Sequence, residues 1–570
     1  MADLLVRGGR VIDGTGAPAT PADVRVRDGV IVEVGPSLER QGETELDAGG
    51  ACVAPGFIDI HTHYDGSIWW DPSVDPMPLH GVTTVVTGNC AISLAPLNRD
   101  DQAALVDMFC YIEDLPVGPV STAVPWTWRS WPEYRAAFNA AGASCNVAPL
   151  VGHNNLRMMV LGEESFERAA TDDERAQLVA LTLECLQAGA FGVSLSFVDL
   201  DSKRRRVPSR MGSPGELRDI GDALASTGRG LVQYVPRFMK TDGYIKDIDR
   251  VAAACGDAGV AHTYAPVLTG RGSRERSDAV MAHTREVRAA GGRVWPQVSP
   301  KSGFDIRLVF DGSTAPYAGM PAWAAMAAAG GAEKTAMLAD PAWRERARED
   351  WESTVFTLFP KHALESFMVS AVANPDLRVF EGKPFRAVMD ARPGHPADVL
   401  AQWVLETGAE SNLVRPGSAD EDPDHMAALL SDDDVLVGAS DAGAHVLALC
   451  GAGDTTLLLT RHVRARGDLS VEAAVHKLTG QAAAAFGIRD RGVVSPGYAG
   501  DLTVFDLDEL RYEREVIVAD MPGGAKRFTR PAGGYRATIV DGAVTQLDGQ
   551  QTGAHPGRML HSAAPGPAAS

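Results

Sequence analysis

Aromatic residues supply only 6% of this chain, and cysteine fills only seven of its 570 positions. An odd number of scattered cysteines excludes a disulfide framework. It makes a reducing, cytoplasmic setting the expectation, in which a thiol stays free to act as a ligand. No apolar run reaches the roughly 18 residues that mark a membrane span. The opening Met1-Ala2-Asp3-Leu4-Leu5-Val6-Arg7 has no charged-then-apolar leader pattern. Basic charge is scarce as well: 53 Lys and Arg stand against 74 Asp and Glu, a net charge of −21. Nonspecific nucleic-acid binding needs a basic face, so neither a nucleic-acid nor a membrane partner is expected. The 59 glycines and 35 prolines follow no repeat period, which excludes collagen-like and low-complexity chains. What is present, 45% hydrophobic and 22% charged residues, is an ordinary globular balance with room for more than one domain.

The two ends share one grammar. Leu4 to Ile12 reads as a strand before the Asp13-Gly14 turn; Asp23-Val24-Arg25-Val26-Arg27 alternates with period two, then Asp28-Gly29 turns into Val30 to Val34. Asp501 to Phe505 and Ala537 to Val540, the latter followed by Asp541-Gly542, repeat the pattern. Neither piece buries much core alone, which predicts one small β-sandwich domain built from residues 1–55 and 490–550. Residues 551–570, rich in Gly, Pro, Ala and Ser, read as a flexible tail.

Between these ends, over residues 56–489 and reaching slightly before them, eight apolar β-rich runs each finish in polar or small residues. They are Val53–His63, Val82–Cys90, Asn146–His153, Ala190–Phe197, Gly230–Arg237, Val260–Val267, Arg293–Pro300 and Val435–Ala442. Helical stretches separate several of them; one opens with the capping-box pattern Thr171-Asp172-Asp173-Glu174. Strand then helix, repeated eight times, predicts an α/β fold of the (β/α)8 TIM-barrel type. Two segments break the spacing. Residues 91–145 carry Trp126, Trp128, Trp131 and Tyr134; residues 301–434 carry Trp323, Trp343, Trp351 and Phe380. Both follow strands on the face where barrels bind ligands, so they are expected to lie over the barrel mouth, with their tryptophans shielding the reaction from water. The plainer alternative is helical padding or an oligomer interface.

The chemistry concentrates at the strand ends. In Phe57-Ile58-Asp59-Ile60-His61-Thr62-His63, residues two apart share a face, so His61 and His63 present two imidazoles to one side. That suits a divalent metal, zinc first, or a hydrogen-bonded pair at a barrel mouth. Cys90, closing Thr87-Gly88-Asn89-Cys90, is either a buried apolar residue or a soft metal ligand. Asp441, in Gly438-Ala439-Ser440-Asp441, fits a metal ligand, a general base, or the cap of a following helix. His153 follows an apolar run and reads as a substrate contact or a satisfied core histidine. Arg237, Arg210 and Arg157 are candidates for gripping a carboxylate in bidentate fashion. Lys203-Arg204-Arg205-Arg206 reads as a solvated loop.

These residues carry a resemblance. Pro55 to Asp65, His80 to Cys90, Gly152-His153-Asn154, Ser440 to His445, Leu478 to Ala483 and Arg491 to Leu502 resemble the amidohydrolase superfamily, and within it the N-acyl-D-amino-acid deacylase (D-aminoacylase) branch. The resemblance spans nearly the whole chain outside the two long segments. It implies a (β/α)8 barrel with a small β domain from both termini. It also implies a metal centre containing His61, His63 and Asp441, with Cys90 in place of the bridging lysine carbamate of many relatives. The fourth run, Phe191 to Phe197, indeed has no lysine. One departure matters. That branch carries a histidine at the end of the fifth strand and another on the sixth. Here the fifth run reads Leu231-Val232-Gln233-Tyr234-Val235-Pro236-Arg237, without histidine, and the sixth offers His262 only if its register allows. One zinc ion on His61, His63 and Asp441 is the preferred reading. A second, with Cys90, Tyr234 or Gln233 as a non-standard ligand, stays open.

The function expected from this is metal-dependent hydrolysis of a small-molecule amide C–N bond outside peptide chains, such as that of an N-acyl-D-amino acid. Asp441 would take a proton from water and return it to the leaving nitrogen. The rivals are a cyclic-imide or hydantoin-type ring hydrolase on the same barrel, a lyase or isomerase acting on a carboxylate, and a non-catalytic scaffold barrel that has lost its metal. A homo-oligomer fits the resemblance.

Overall fold

Runs of β-branched residues become strands because such side chains fit a pleated surface that is buried on both faces. The computed structural model describes residues 3–256, 258–301, 303, 305–317, 319–354 and 361–562. Its clearest example is the wholly buried Val-Thr-Thr-Val-Val-Thr of residues 82–87. The parallel strands are β1 (Phe57–Asp59), β2 (Val82–Thr87), β3 (Asn146–Pro149, continued by Val151–Gly152), β4 (Gly192–Ser196), β5 (Leu231–Val235), β6 (His262–Tyr264), β7 (Val294–Val298) and β8 (Leu436–Val437). Each pairs in parallel with the next, from β1 to β8. The ladder then returns to its start. Thr62, just past β1, bridges Ala442, just past β8, and His63 N donates to Ala442 O at 2.8 Å.

Helices fill the crossovers on the far side of the strands: Asp172–Gln187, Pro214–Thr227, Thr241–Cys255 and Arg274–Ala289. The first begins at a true capping box. Glu174 N donates to Thr171 Oγ1 at 3.3 Å, and Thr171 N donates back to Glu174 Oε2 at 2.8 Å. Such a cap stabilises a helix by about 1 kcal/mol.

Register decides what each strand shows to the ring interior. Ser194, Gln233 and Thr263 are ladder partners on β4, β5 and β6. Gln233 reaches inward, where its Oε1 accepts from Cys90 N at 3.2 Å. Residues one step along point the opposite way. Tyr234 and Tyr264 pack ring to ring at 5.7 Å, and Tyr264 meets Tyr244 of helix Thr241–Cys255 at 5.5 Å.

Strands from both ends of the chain share one ladder. Cys52–Pro55 pairs with Leu4–Val11 on one side and with Leu502–Phe505 on the other, and Leu502–Phe505 pairs with Ala537–Val540. The result is one continuous nine-stranded ladder that folds back on itself: Val30 bridges Ala499, and both arms share one core. Buried Arg491 ties the sheet's turns together through Asp501 at 2.7 Å and Asp541 at 2.8 Å.

Three boundaries differ from expectation. The tail does not loosen at 551: Leu560 N donates to Val147 O at 2.8 Å, Gly557 N to Ala143 O at 2.7 Å, and Met559 is buried against β3. A methionine and a leucine in that stretch have apolar surface to bury, which outweighs the Gly- and Pro-rich composition. Residues 563–570 lie outside the described residues. Helix Pro423–Leu430, placed by sequence in the long insertion, packs Met426, Leu429 and Leu430 into the main core. Finally, the tryptophans do not face the reaction space. Trp128 stacks on Trp69 at 4.7 Å within the main core. Trp323, Trp343, Trp351 and Trp403 build a second core, together with Phe385 and the antiparallel strands Ile306–Leu308, Met368–Ala371 and Asn412–Arg415. Indoles gain most by burial against one another, and an insertion of this size has enough of them to form its own interior.

Candidate metal centre

Strand ends and the turns after them bring four side chains together. His61 and His63 lie just beyond β1. Cys90 closes the turn after β2, where Cys90 and Ala91 adopt left-handed backbone (φ +54° and +67°). Gly88 makes that turn affordable in space: a Cβ there would lie 2.0 Å from Leu150 O. After β8, Ala439, Asp441 and His445 are also left-handed, at φ +57°, +59° and +52°. Side-chain-bearing residues avoid this region, and such conformations gather where function holds them.

The distances are those of a donor cluster. Asp441 Oδ1 lies 3.2 Å from His63 Nε2 and 3.7 Å from His61 Nε2. Cys90 Sγ lies 3.5 Å from His61 Nε2 and 3.8 Å from His63 Nε2. His61, His63 and Cys90 form one group with ligand atoms within 4.8 Å of one another, and His63, Glu113 and Asp441 form another. Both histidines are buried, whereas the Asp441 side chain keeps 24% of its exposure and opens toward the mouth.

Electrostatics fit a cation. Burial pushes His61 down to about 4, with Asp441 opposing, so at neutral pH its ring is uncharged and offers a lone pair. Burial also works against a charged His63, but Glu113 and Asp441 on either side outweigh it and raise its pKa. Asp441 is held well below the carboxylate range: burial opposes this, and His63, His445 and His61 overcome it. Burial and the carboxylates of Glu113, Asp441, Asp199 and Asp65 push the Cys90 thiol well above its ordinary value, so a thiolate there needs a positive partner. Two imidazole nitrogens, one sulfur and one carboxylate oxygen are the donor set that zinc takes.

The other residues singled out by sequence give their polar atoms to other partners or to the outer face of the strands. His153 is fully buried and satisfied, with Nδ1 3.1 Å from Ser209 Oγ and Nε2 2.7 Å from Glu216 Oε1. Arg157 completes that cluster, its Nη1 donating to Glu216 at 2.7 and 2.5 Å. Arg237 is tied to Asp247, with Nη2 donating at 2.6 Å. Arg210 donates to the Val198 and Asp199 carbonyls at 2.9 and 3.0 Å. Register puts Tyr234 and His262 on the outer face of the strands, their rings 5.9 Å apart. His262 therefore cannot stand in for a sixth-strand ligand; the inward residue is Thr263, whose hydroxyl donates to Trp295 O at 2.9 Å and accepts from Gln297 Nε2 at 3.0 Å.

Sequence reasoning missed three neighbours. Gln297, inward on β7, places Oε1 3.2 Å from His61 Nδ1. His445 lies 3.7 Å from Asp441 Oδ2. Glu113 places Oε1 3.3 Å from His63 Nδ1. Gln297 was accessible in principle from the period-two pattern of Val294–Val298. Glu113 had no local signal, since it ends a helix inside an insertion.

A parallel ring of strands with metal donors at its C-terminal edge defines a class of hydrolytic fold, and comparison with known proteins specifies the family. Residues 44–195 and 385–546 match the amidohydrolase family, and the chain belongs to it. It is 30% identical over 578 aligned positions to an N-acyl-D-aspartate deacylase of Alcaligenes xylosoxydans xylosoxydans, covering 100% of this chain and 96% of that one. A D-aminoacylase of the same organism is 27% identical, covering 98% and 97%. A solved D-aminoacylase structure, described as defining a novel subset of amidohydrolases, superposes with a TM-score of 0.67 at 25% identity, covering 98% of this chain and 100% of that one. Among the described residues, no helix is long and apolar enough to cross a membrane.

Proposed function

We propose that this protein is a zinc-dependent hydrolase of N-acyl-D-amino acids, with a (β/α)8 barrel over residues 56–489, a β domain shared by residues 1–55 and 490–550, and one metal ion at the barrel's C-terminal mouth. The observation that carries the reading is the convergence of His61, His63, Cys90 and Asp441. A bound zinc supplies Lewis acidity that polarises an amide carbonyl. The remaining work belongs to the chain. His61 and His63 hold the donor geometry from one strand end. Asp441, ionised and half-open to the mouth, accepts a proton from the attacking water and delivers it to the departing nitrogen. Ser440 Oγ fixes the turn that aims Asp441, lying 2.9 Å from both Asp59 Oδ1 and His61 O. The full-length similarity to D-amino-acid deacylases supports the substrate class.

A single ion is favoured by what faces the cluster from the opposite strands. Gln233 and Thr263 present an amide and an engaged hydroxyl there, both poor zinc ligands. The test is a panel of N-acetyl-D- and N-acetyl-L-amino acids, with hydantoins and dihydropyrimidines as ring substrates, offered to the zinc-loaded protein and scored for ring opening or free amine. Release of amine from D-configured amides supports the proposal. Turnover of rings alone, or of nothing at one zinc per chain, contradicts it.

A further inference from the structure

Glu113 is a carboxylate 2% exposed, on the insertion that follows β2, and its charge is expensive to bury without a partner. Its nearest cationic or polarisable group is the His63 imidazole, with Oε1 3.3 Å from Nδ1. Its backbone is anchored on both sides. Its backbone N donates to Phe109 O at 3.0 Å, capping helix Gln102–Ile112, and its carbonyl accepts from His445 N at 2.5 Å. The next residue, Asp114, accepts from Ser313 Oγ at 2.6 Å, so both insertions clamp this position.

The other histidine of the pair is held by a hydrogen bond to a different group, whereas Glu113 acts on His63 by its charge across 3.3 Å. His61 Nδ1 faces Gln297 Oε1 at 3.2 Å, and that amide is kept from flipping because its Nε2 donates to Thr263 Oγ1. In both rings Nε2 is the atom turned toward Cys90 and Asp441. A neutral imidazole that offers Nε2 as a ligand must carry its proton on Nδ1. That proton then needs an acceptor: an uncharged amide for His61 and a carboxylate for His63.

We propose that Glu113 is a positioning residue of the metal centre: it holds the His63 ring in the Nδ1–H tautomer, with Nε2 aimed at the ion, and makes His63 the stronger of the two imidazole donors. It does not touch substrate. This rests on the reading of His61, His63, Cys90 and Asp441 as metal ligands. It makes the 91–145 insertion part of the metal centre rather than a cover for it, and it assigns Gln297 the matching role for His61.

The test measures zinc affinity of the full chain, stripped and reloaded, by competition with a chromophoric chelator, alongside zinc stoichiometry and unfolding temperature. Outer-shell partners of metal histidines change affinity by roughly 10- to 100-fold. Glu113→Ala is expected to weaken zinc binding by that order while the stoichiometry at saturation stays at that of the wild type. Glu113→Gln keeps an oxygen for Nδ1–H and has nearly the same shape, so it folds and recovers part of the loss. Wild-type affinity in Glu113→Gln and in any folded Glu113→Ala protein would overturn the proposal, even if their unfolding temperatures fall. A lost equivalent of zinc in Glu113→Gln would also overturn it, by making Glu113 a ligand. A wild-type chain that binds no zinc would overturn the metal reading itself and this inference with it.

Discussion

The two halves of the strand ring handle buried polar groups in opposite ways. On the arc formed by β8, β1 and β2, the side chains of His61, His63, Cys90 and Asp441 turn their ligand atoms toward one another. On the facing arc, several polar groups consume each other: His153 and Arg157 close on Glu216, Arg237 on Asp247, and Thr263 on Gln297 and Trp295. The lesson is that burial alone does not mark a site. A buried histidine with both nitrogens spent, such as His153, stabilises the fold, whereas a buried histidine with one nitrogen held and the other offered is poised for a ligand.

This contrast breaks or holds under mutation. His61→Ala should have the largest effect, stripping the metal and reducing amine release to background together; zinc analysis and kinetics on the same sample check it. Asp441→Asn should lower kcat by roughly 100- to 10,000-fold, while some metal remains, because the amide still offers an oxygen but cannot take a proton. Asp441→Asn should move the unfolding temperature less than His61→Ala, which removes a buried ring together with a metal that binds only the folded chain.

The facing arc predicts the reverse. Burial raises the Glu216 carboxyl, but the hydrogen bond from His153 and the charge of Arg157 outweigh it and hold the pKa at about 2. A folded-state pKa below the unfolded one adds stability that is complete above pH ~4.5 and is lost as pH falls toward ~2. Glu216→Gln leaves Arg157 buried without its charge partner, so it should destabilise by roughly 3–5 kcal/mol at neutral pH, flatten the acid limb of the stability curve, and leave zinc stoichiometry unchanged. Thermal unfolding across pH measures all of this. His262→Phe should have the smallest effect. Among the described residues its buried ring nitrogens have no hydrogen-bond partner, so an apolar ring of similar size costs little and leaves zinc content and kcat/KM as they were.

How much of this could be read from the residues depends on distance along the chain. The closeness of His61 and His63 is legible because a strand repeats every two residues, and the capping box at Thr171 is legible because its partners are three apart. The amidohydrolase family is legible from blocks such as Pro55 to Asp65 and His80 to Cys90. Register is not. Whether His262 or Thr263 faces inward depends on how β6 aligns with β5, and no face of either run is uniformly polar or apolar. Boundaries fail for a related reason: the composition of 551–562 says loop, yet Met559 and Leu560 find apolar surface on β3. Glu113 is hidden most deeply. Only tertiary folding brings the end of helix Gln102–Ile112 beside His63.

The central claim is that one metal ion sits among His61, His63, Cys90 and Asp441. Anomalous diffraction at the zinc edge from crystals of the zinc-loaded chain tests it most directly. The account predicts a single strong peak per chain, bonded to the Nε2 atoms of His61 and His63 and to Asp441. A peak beside His262 or His153, a second peak of equal height against Gln233 and Thr263, or none at all would contradict it.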